Sequence, residues 1–247
     1  MSTATAVSPP TEAKASGRRI RDVRGFERTA AAVVLVVSGT CLTASRFLTP
    51  DGIETPQILA AVAANPDRQF GYALLTYVAS LTMVPAFLAA ARLARTQRPL
   101  LAMIAAAVNL VAYMGGATLA TVEVLYLAGA RLASEQHGGA AALIDQFWAT
   151  GLVSFSSWLF TFGSLAGGVL IGLALRGRIP LAGWLAVAAS QPLLFAQWAA
   201  FPTNGTGIGL DAAARGLLAL GFVICAVAVL RTTNDNWDLA PRQARRS

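Results

Sequence analysis

Long stretches without a charged residue alternate with short charged segments along most of this chain. Six such stretches lie between Arg28 and Arg231, and they contain 17, 23, 24, 30, 32 and 15 uncharged residues in chain order. A helix of about 20 residues crosses the ~30 Å apolar core of a bilayer, so each of the first five stretches is long enough to span. The sixth is too short unless its helix includes Arg215 and approaches Asp211. The pattern predicts an all-α integral membrane bundle of six transmembrane helices.

Residues that start and stop helices set the predicted bounds. We expect spans at about residues 29–48, 71–91, 99–130, 146–175, 180–201 and 208–230. Between the first two spans, Thr55 and Pro56 are typical of a helix N-terminus and Asn65-Pro66 of a helix end, so a short surface helix is expected at 55–64. The transmembrane domain is predicted to cover residues 26–231. A disordered basic tail at 1–25 precedes it and a second tail at 232–247 follows it.

Composition and charge support a membrane location. Apolar residues make up 55% of the chain, charged residues only 13%, and the mean hydropathy is +0.58. A formal charge of +7 would suggest a nucleic-acid partner in a soluble protein. Here the charges have a topological explanation, because 15 of the 19 basic residues fall on one side if both termini share that side. Since basic residues concentrate on the cytoplasmic side, we predict a protein of the cytoplasmic membrane with both termini inside and no nucleic-acid partner.

Two further partners follow from local composition. The basic segment at 18–28, from Arg18 to Arg28, adjoins the first span and is expected to bind anionic lipid headgroups of the bilayer. The fourth span carries small residues at four-residue spacing, which let helices approach closely in lipid. Intramolecular packing is the favoured use of these positions, and a homo-oligomer face is the alternative; the residues are Gly163, Gly167, Gly168 and Gly172.

Four short segments resemble an uncharacterised family of bacterial multi-pass membrane proteins, a domain of unknown function. They open the first helix, fill the outer loop, and open the second and third helices; the segments are Glu27-Arg28-Thr29-Ala30, Ile58-Leu59-Ala60-Ala61-Val62-Ala63-Ala64-Asn65-Pro66, Phe70-Gly71-Tyr72 and Arg98-Pro99-Leu100-Leu101-Ala102. The resemblance covers roughly residues 27–116. It implies a multi-helix protein of the cytoplasmic membrane and brings no catalytic motif with it.

No cofactor or metal is predicted. The chain has no glycine-rich nucleotide motif, no Walker loop, no Gly-x-Ser-x-Gly and no His/Cys spacing that suits a metal. The only histidine, His137, has no second ligand nearby and is expected in an exposed loop. Cys41 and Cys225 are placed at different depths of the bundle, so a disulfide between them is not expected.

Candidate functional residues are the polar groups inside or at the ends of the predicted spans. Asp211 and Arg215 are one helical turn apart and can pair. Glu123 falls near the same, outer end, while Asn109 and Gln191 lie nearer the midplane. One interpretation is that the charged residues reach water at the membrane interface. The other is that Glu123, Asp211 and Arg215 line an outward-facing polar cavity with Asn109 and Gln191 below it, because ionisable groups within spans mark sites or pathways.

The sequence leaves three classes of function open. The first is binding or transport of a small molecule or a proton through the polar cavity. The second is an intramembrane acid/base enzyme acting on a lipid or isoprenoid, with Glu123 or Asp211 as the general acid. The third is a non-catalytic membrane subunit or regulator whose tails meet a partner. Carboxyl groups that face one internal cavity would favour the first two, and carboxyl groups that extend into the headgroups would favour the third.

Overall fold

The computed structural model of the protein describes residues 23–52, 54–132, 134–200 and 208–238. Within these ranges the chain forms α-helices joined by short connections. The helices are α1 (Arg24–Leu48), α2 (Thr55–Ala64), α3 (Pro66–Ala94), α4 (Pro99–Ala130), α5 (His137–Ala149), α6 (Gly151–Leu175), α7 (Leu181–Ala200), α8 (Ile208–Arg231) and α9 (Asn234–Asp238). A single 3-10 turn, Ser134–Gln136, precedes α5.

The predicted all-α fold is confirmed for the described ranges, which contain no β-strand. Five helices are long and apolar enough to cross a membrane: α1, α3, α4, α6 and α8. The fifth predicted span corresponds to α7, a 20-residue helix; the part of it whose side chains are described, Leu181–Ala196, is apolar. Most of the predicted N-terminal tail and the C-terminal part of the second tail, residues 1–22 and 239–247, lie outside the described residues, and so does the first part of the segment at 18–28.

Two departures from the expected helix bounds have a local reason. Pro66 begins α3 instead of only ending α2, because proline fits the first position of a helix, where no amide hydrogen is needed. The predicted helix at 146–175 is divided at Thr150, whose backbone is extended (φ −66°, ψ 127°). Residues before this break form a separate helix, α5, and α6 starts only at Gly151. The uncharged run continues across Thr150, so charge spacing did not reveal the break.

The six long helices pack as a closed ring in chain order. Each contacts the next, from α1 to α3, α4, α6, α7 and α8, and α8 returns to α1. In addition, α3 contacts α6 and α8 across the ring, so it partly fills the interior. The short helices α2 and α5 pack on each other and on the end of α4 around a small apolar cluster of Leu59, Val122, Tyr126, Ala140, Ala141 and Ile144. A ring of sequential neighbours surrounds a central space that side chains from every helix can reach.

Successive helices of the ring run in opposite directions, so the bundle has two distinct ends. We call them the carboxylate end, which contains Asp211 and Glu123, and the arginine end, which contains Arg28, Arg92, Arg95, Arg98, Arg178 and Arg231. Both extremities of the described chain lie at the arginine end, where the Arg28 guanidinium hydrogen-bonds the main-chain oxygen of Thr232. The helix directions therefore bring Arg24, at the start of α1, and Asp238, at the end of α9, to the same end of the bundle.

Small residues bring the helices close together in the half of the bundle nearest the arginine end. On α3 the buried face is mainly alanine, at Ala86, Ala89, Ala90, Ala91 and Ala94. On α6 the four glycines of the predicted close-packing motif all meet neighbours within the chain: a Cβ at Gly163 or Gly167 would collide with α4, and one at Gly168 or Gly172 with α7. The surface that these glycines would offer to a second copy is occupied by α4 and α7.

The arginine end is tied together by hydrogen bonds to main-chain oxygens. Arg98 Nη1 donates to Leu173 O in the last turn of α6 at 3.0 Å. Arg95 Nη2 donates to Trp237 O of α9 at 3.1 Å, and the Arg92 guanidinium lies 4.5 Å from the Trp237 ring centroid. Such bonds reach carbonyl groups in or just after the last turn of a helix, where main-chain partners are scarce. Part of the predicted second tail is therefore ordered as α9, with Trp237 buried in the core.

Candidate functional site

A buried carboxylate with two arginine partners lies at the carboxylate end. Asp211 is only 2% exposed. Its Oδ1 accepts a hydrogen bond from Arg215 Nε at 2.6 Å, and its Oδ2 lies 2.5 Å from Arg46 Nε. We call the side chains of Asp211, Arg215 and Arg46 the Asp211 cluster. With all three ionised, the net charge of the cluster is +1. The side chains of Arg46 and Arg215 are 11% and 18% exposed, so neither guanidinium extends freely into solvent.

Helix geometry explains how the cluster forms. Asp211 lies in the first turn of α8 and Arg215 one turn later, so the two side chains share a face. Arg46 lies in the last turn of α1, which is the neighbour of α8 in the ring. A carboxylate near a helix N-terminus and a cation near a helix C-terminus are both favoured by the helix dipoles. The pair predicted from spacing is present, and Arg46 adds a second partner from another helix.

A cavity of about 150 Å³ lies beside this cluster and is enclosed by all six long helices. Its polar lining residues are Tyr72, Thr76, Ser80, Tyr113, Glu123, Gln191 and Arg215, and its apolar ones include Leu42, Met83 and Phe160. Arg215 belongs to both the Asp211 cluster and the cavity wall. Tyr72 and Tyr113 line the same cavity as Arg215.

Glu123 places a second carboxyl group on the wall of the same cavity. Gln69 Nε2 donates hydrogen bonds to Glu123 Oε2 at 3.2 Å and to the Glu123 main-chain oxygen at 3.1 Å. Within the described ranges Glu123 forms no ion pair. Its carboxyl group therefore faces the cavity with an amide donor but without a neutralising cation in contact.

Gln69 also lines a second space at the carboxylate end. That space, of about 190 Å³, is lined by Gln69 together with Asp51, Arg68 and Asn65 and with apolar residues of α2. The Gln69 side chain is 1% exposed, and its Oε1 has no hydrogen-bond partner. A buried amide oxygen without a partner is costly, and a hydrogen-bond donor placed there would satisfy it. The Gln69 amide therefore links this second space, called the outer space below, to the Glu123 carboxyl group.

Aromatic rings close the cavity toward the arginine end. Tyr113 packs against Phe87 at 5.3 Å and against Phe160 at 5.4 Å between ring centroids. Phe87 also contacts Phe222 at 5.3 Å, with the rings nearly perpendicular. We call Phe87, Tyr113, Phe160 and Phe222 the aromatic layer. Below it lies the alanine-rich core, so the cavity belongs to the half of the bundle nearest the carboxylate end.

The structure brings together four of the five residues that the sequence singled out. Glu123, Arg215 and Gln191 line the cavity, and Asp211 lies behind Arg215 as its ion-pair partner. Asn109 does not line it. This asparagine is fully buried between α4 and α6, where its Nδ2 donates to Ala105 O at 2.8 Å and its side chain packs on Gly167. Asn109 is therefore an interhelical packing residue in this arrangement.

Several residues of the site were not identified from the sequence. Gln69 was assigned to a loop, because the second span was expected to begin at Gly71. Tyr72 and Tyr113 resemble ordinary packing aromatics when only the sequence is considered. For Gln69 a signal was present: Pro66 at a helix start places a glutamine one turn into an otherwise apolar helix.

No protein-family model matches the chain, and no match was found among curated proteins or among solved structures. The resemblance proposed for residues 27–116 therefore stays a prediction. Within the described residues, no group of three or more His, Cys, Asp or Glu side chains could hold a metal ion. Cys41 and Cys225 are both free. Over the described residues the fold and the site define an all-helical arrangement with membrane-compatible helices and a polar cavity between them, and function must be argued from that cavity.

Proposed function

We propose that the protein is a multi-pass protein of the cytoplasmic membrane in which all six long helices span, including α7. A helix of 20 residues is about 30 Å long, which matches the apolar core of a bilayer. The arginine end is assigned to the cytoplasm, because it collects 15 of the 19 basic residues of the chain when the terminal segments are counted with it. The carboxylate end then faces outward.

We infer that this protein binds a small polar molecule or a proton in the cavity. The observation that carries the inference is that all six helices contribute to one space whose wall holds a carboxyl group without an ion-pair partner and a guanidinium group. Charged side chains within the apolar core of a membrane are costly and are retained where they form a site or a pathway. The burial of the Asp211 cluster argues against the alternative in which these groups simply reach water.

The Asp211 cluster supports this function by holding Arg215 in place. Two arginines share one carboxylate, so Arg215 retains a positive charge that is not fully neutralised by its partner. Arg215 and Glu123 then present opposite charges to one small volume. A ligand that carries both a hydrogen-bond donor and an acceptor could bind this pair, with its donor on Glu123 and its acceptor on Arg215. A proton would bind to the Glu123 carboxylate alone.

The size of the cavity discriminates among the three classes of function. A space of about 150 Å³ accommodates a molecule of roughly benzene's size or several waters. An isoprenoid or phospholipid is far larger, so the intramembrane lipid enzyme is disfavoured. A purely structural subunit would not require a carboxyl group without an ion-pair partner on the wall of an internal cavity. Binding of a small ligand is the function best supported, and transport would additionally require the aromatic layer to open.

Access to the cavity is proposed to run through Gln69. Its amide joins the outer space at Asp51 and Arg68 to the Glu123 carboxyl, and a rotation of this one side chain would connect the two spaces. The free Oε1 of Gln69 offers an acceptor to a ligand or water passing this point. This route would admit a ligand to the cavity from the outward-facing carboxylate end.

The proposal is tested by identifying what the purified protein carries. Small molecules released from the wild type are compared by mass spectrometry with those released from Glu123→Gln and from Glu135→Gln, a control in which the carboxyl group is exposed and lines neither space. We expect a compound that is bound by the wild type and the control and lost from Glu123→Gln. Equal retention of the compound by all three proteins would overturn the proposal. So would a second result, in which no compound exceeds the level found with an unrelated membrane protein and Glu123→Gln does not change proton flux into proteoliposomes.

A further inference from the structure

A groove lies at the arginine end, far from the cavity. It has a volume of about 460 Å³ and is formed by the residues before α7, the last turns of α8, and α9. The lining residues that matter below are Arg178, Val223, Val227, Arg231, Thr232 and Thr233. The function proposed above makes no use of this groove.

The groove is amphipathic along the direction of α8. One part is apolar, with Val223, Ile224, Val227 and Ala228 following one another along the helix. Val223 and Val227 are 38% and 42% exposed, and Leu220 and Leu230 continue the same exposed stripe at helical spacing. On a membrane-spanning helix this stripe contacts acyl chains. The apolar part of the groove therefore opens to the lipid.

The opposite part of the groove is basic. Arg178 reaches the Thr232 hydroxyl with Nη2 at 3.4 Å, and Arg231 is exposed and makes no hydrogen bond or ion pair with the described part of the chain. No acidic residue is among the groove-lining side chains that the structure describes. The chain that follows, residues 239–247, carries three arginines and no acidic residue, so its side chains do not offer a counter-charge.

We propose that this groove binds an anionic phospholipid of the cytoplasmic leaflet. The phosphate would lie between Arg178 and Arg231, within reach of the threonine hydroxyl groups, and an acyl chain would follow Val227 and Val223. Basic side chains attract anionic lipid at the membrane surface, and an apolar wall continuous with the basic end selects a lipid over a free anion. The site requires membrane insertion but is independent of the cavity.

The test measures lipid binding to the full-length purified protein. Native mass spectrometry in detergent follows titration with phosphatidylglycerol or with phosphatidylcholine of the same acyl chains. We expect tighter binding of phosphatidylglycerol, a loss of about fivefold in Arg231→Ala, and a larger loss when Arg178→Ala is added. Arg131→Ala removes an exposed arginine at the other end and should change nothing. Glu123→Gln should also leave lipid binding unchanged, which separates this site from the proposed cavity function.

Two outcomes would overturn the proposal. Equal binding of the two lipids, or an equal loss in Arg131→Ala and Arg231→Ala, would show that the protein has no specific lipid site here. The second outcome concerns thermal unfolding, measured at roughly physiological salt with about 10 mM inorganic phosphate or with phosphatidylglycerol. If phosphate raises the melting temperature as much as the lipid does, a free anion is the occupant. Because the Arg231 side chain makes no hydrogen bond or ion pair with the described residues, Arg231→Ala is expected to fold, and its unchanged melting temperature without added lipid is the control.

Discussion

The two ends of the bundle use arginine in different ways. At the arginine end, the side chains of Arg28, Arg95 and Arg98 donate to main-chain oxygens where helices finish. At the carboxylate end, Arg46 and Arg215 instead bracket the side chain of one buried aspartate. The hydrogen bonds at the arginine end cap helices. The Asp211 cluster joins side chains only, so helix capping does not explain it. A charge that is buried against a side chain, beside a cavity, is the one that calls for a functional explanation.

The same contrast appears in the packing. Alanine and glycine bring helices into direct contact near the arginine end, and a Cβ added at Gly172 would lie 2.7 Å from Ala188 Cα. Near the carboxylate end the ring encloses a space with seven polar residues on its wall. A bundle that can pack tightly in one half and leaves a polar cavity in the other gives up van der Waals contact there, which costs stability.

The largest expected effect is the loss of the Asp211 charge. Asp211→Asn leaves two buried guanidinium groups without their carboxylate and should lower the free energy of unfolding by about 3–5 kcal/mol. The matched change at the other end is Glu27→Gln, which removes a carboxylate 3.0 Å from Arg92 that is 42% exposed. Solvent screens that pair, so we expect a loss below ~1 kcal/mol. Unfolding of both variants in detergent measures the difference, and equal losses would remove the distinction between the two ends.

A double-mutant cycle should show that Asp211 and Arg215 act as a unit. Arg215→Ala removes one of two partners of the carboxylate, and Asp211→Asn removes the charge that both arginines share. Once the carboxylate is neutral, losing Arg215 also relieves a buried positive charge, so the double variant should be more stable than the sum predicts by more than ~1 kcal/mol. The cycle is measured from melting temperatures in detergent. Strict additivity would mean that the two side chains reach water independently.

Glycine substitutions test the packing difference. Gly172→Ala forces α6 and α7 apart, because its Cβ would meet the Ala188 backbone, and it should cost about 1–3 kcal/mol. Gly216→Ala is the control in α8, where no atom lies within 4 Å of the added Cβ. Alanine favours the helix, so this variant should be neutral or slightly more stable. Thermal unfolding of the two variants side by side checks the expectation; a neutral Gly172→Ala would contradict tight packing there.

The smallest expected effect concerns Gln69, because its removal alters access more than stability. Gln69→Ala shortens the side chain between the outer space and Glu123, so a cysteine placed at Ser80 on the cavity wall should react faster with a small thiol reagent. Gln97→Ala is the matched change at the arginine end, where the Gln97 amide donates to Gly177 O at 3.1 Å. It should leave the reaction rate unchanged. A rate unaffected by Gln69→Ala would exclude this route.

The helical fold and the Asp211–Arg215 pair could be predicted because both depend on short-range sequence. The uncharged runs indicated where the long helices lie, and the i, i+4 spacing indicated that Asp211 and Arg215 can form an ion pair. Arg46 could not be assigned as a partner, since its contact depends on α1 and α8 closing the ring. Glu123 and Gln191 were identified as polar residues within spans, but Asn109 shows the limit of that argument: the same kind of residue packs between two helices when its face of α4 meets Gly167. The break at Thr150 was missed because it changes no charge.

The most direct test of the account is whether the cavity can be reached from the carboxylate end alone. Ser80→Cys is made in a variant with Cys41→Ser and Cys225→Ala, and an impermeant methanethiosulfonate is applied to intact cells or to inverted vesicles. Ala90→Cys, fully buried in the alanine-rich half, is the control and should react from neither side. We predict that Ser80→Cys reacts in intact cells and not in inverted vesicles. No reaction in intact cells, or reaction in inverted vesicles alone, would contradict an outward-facing cavity.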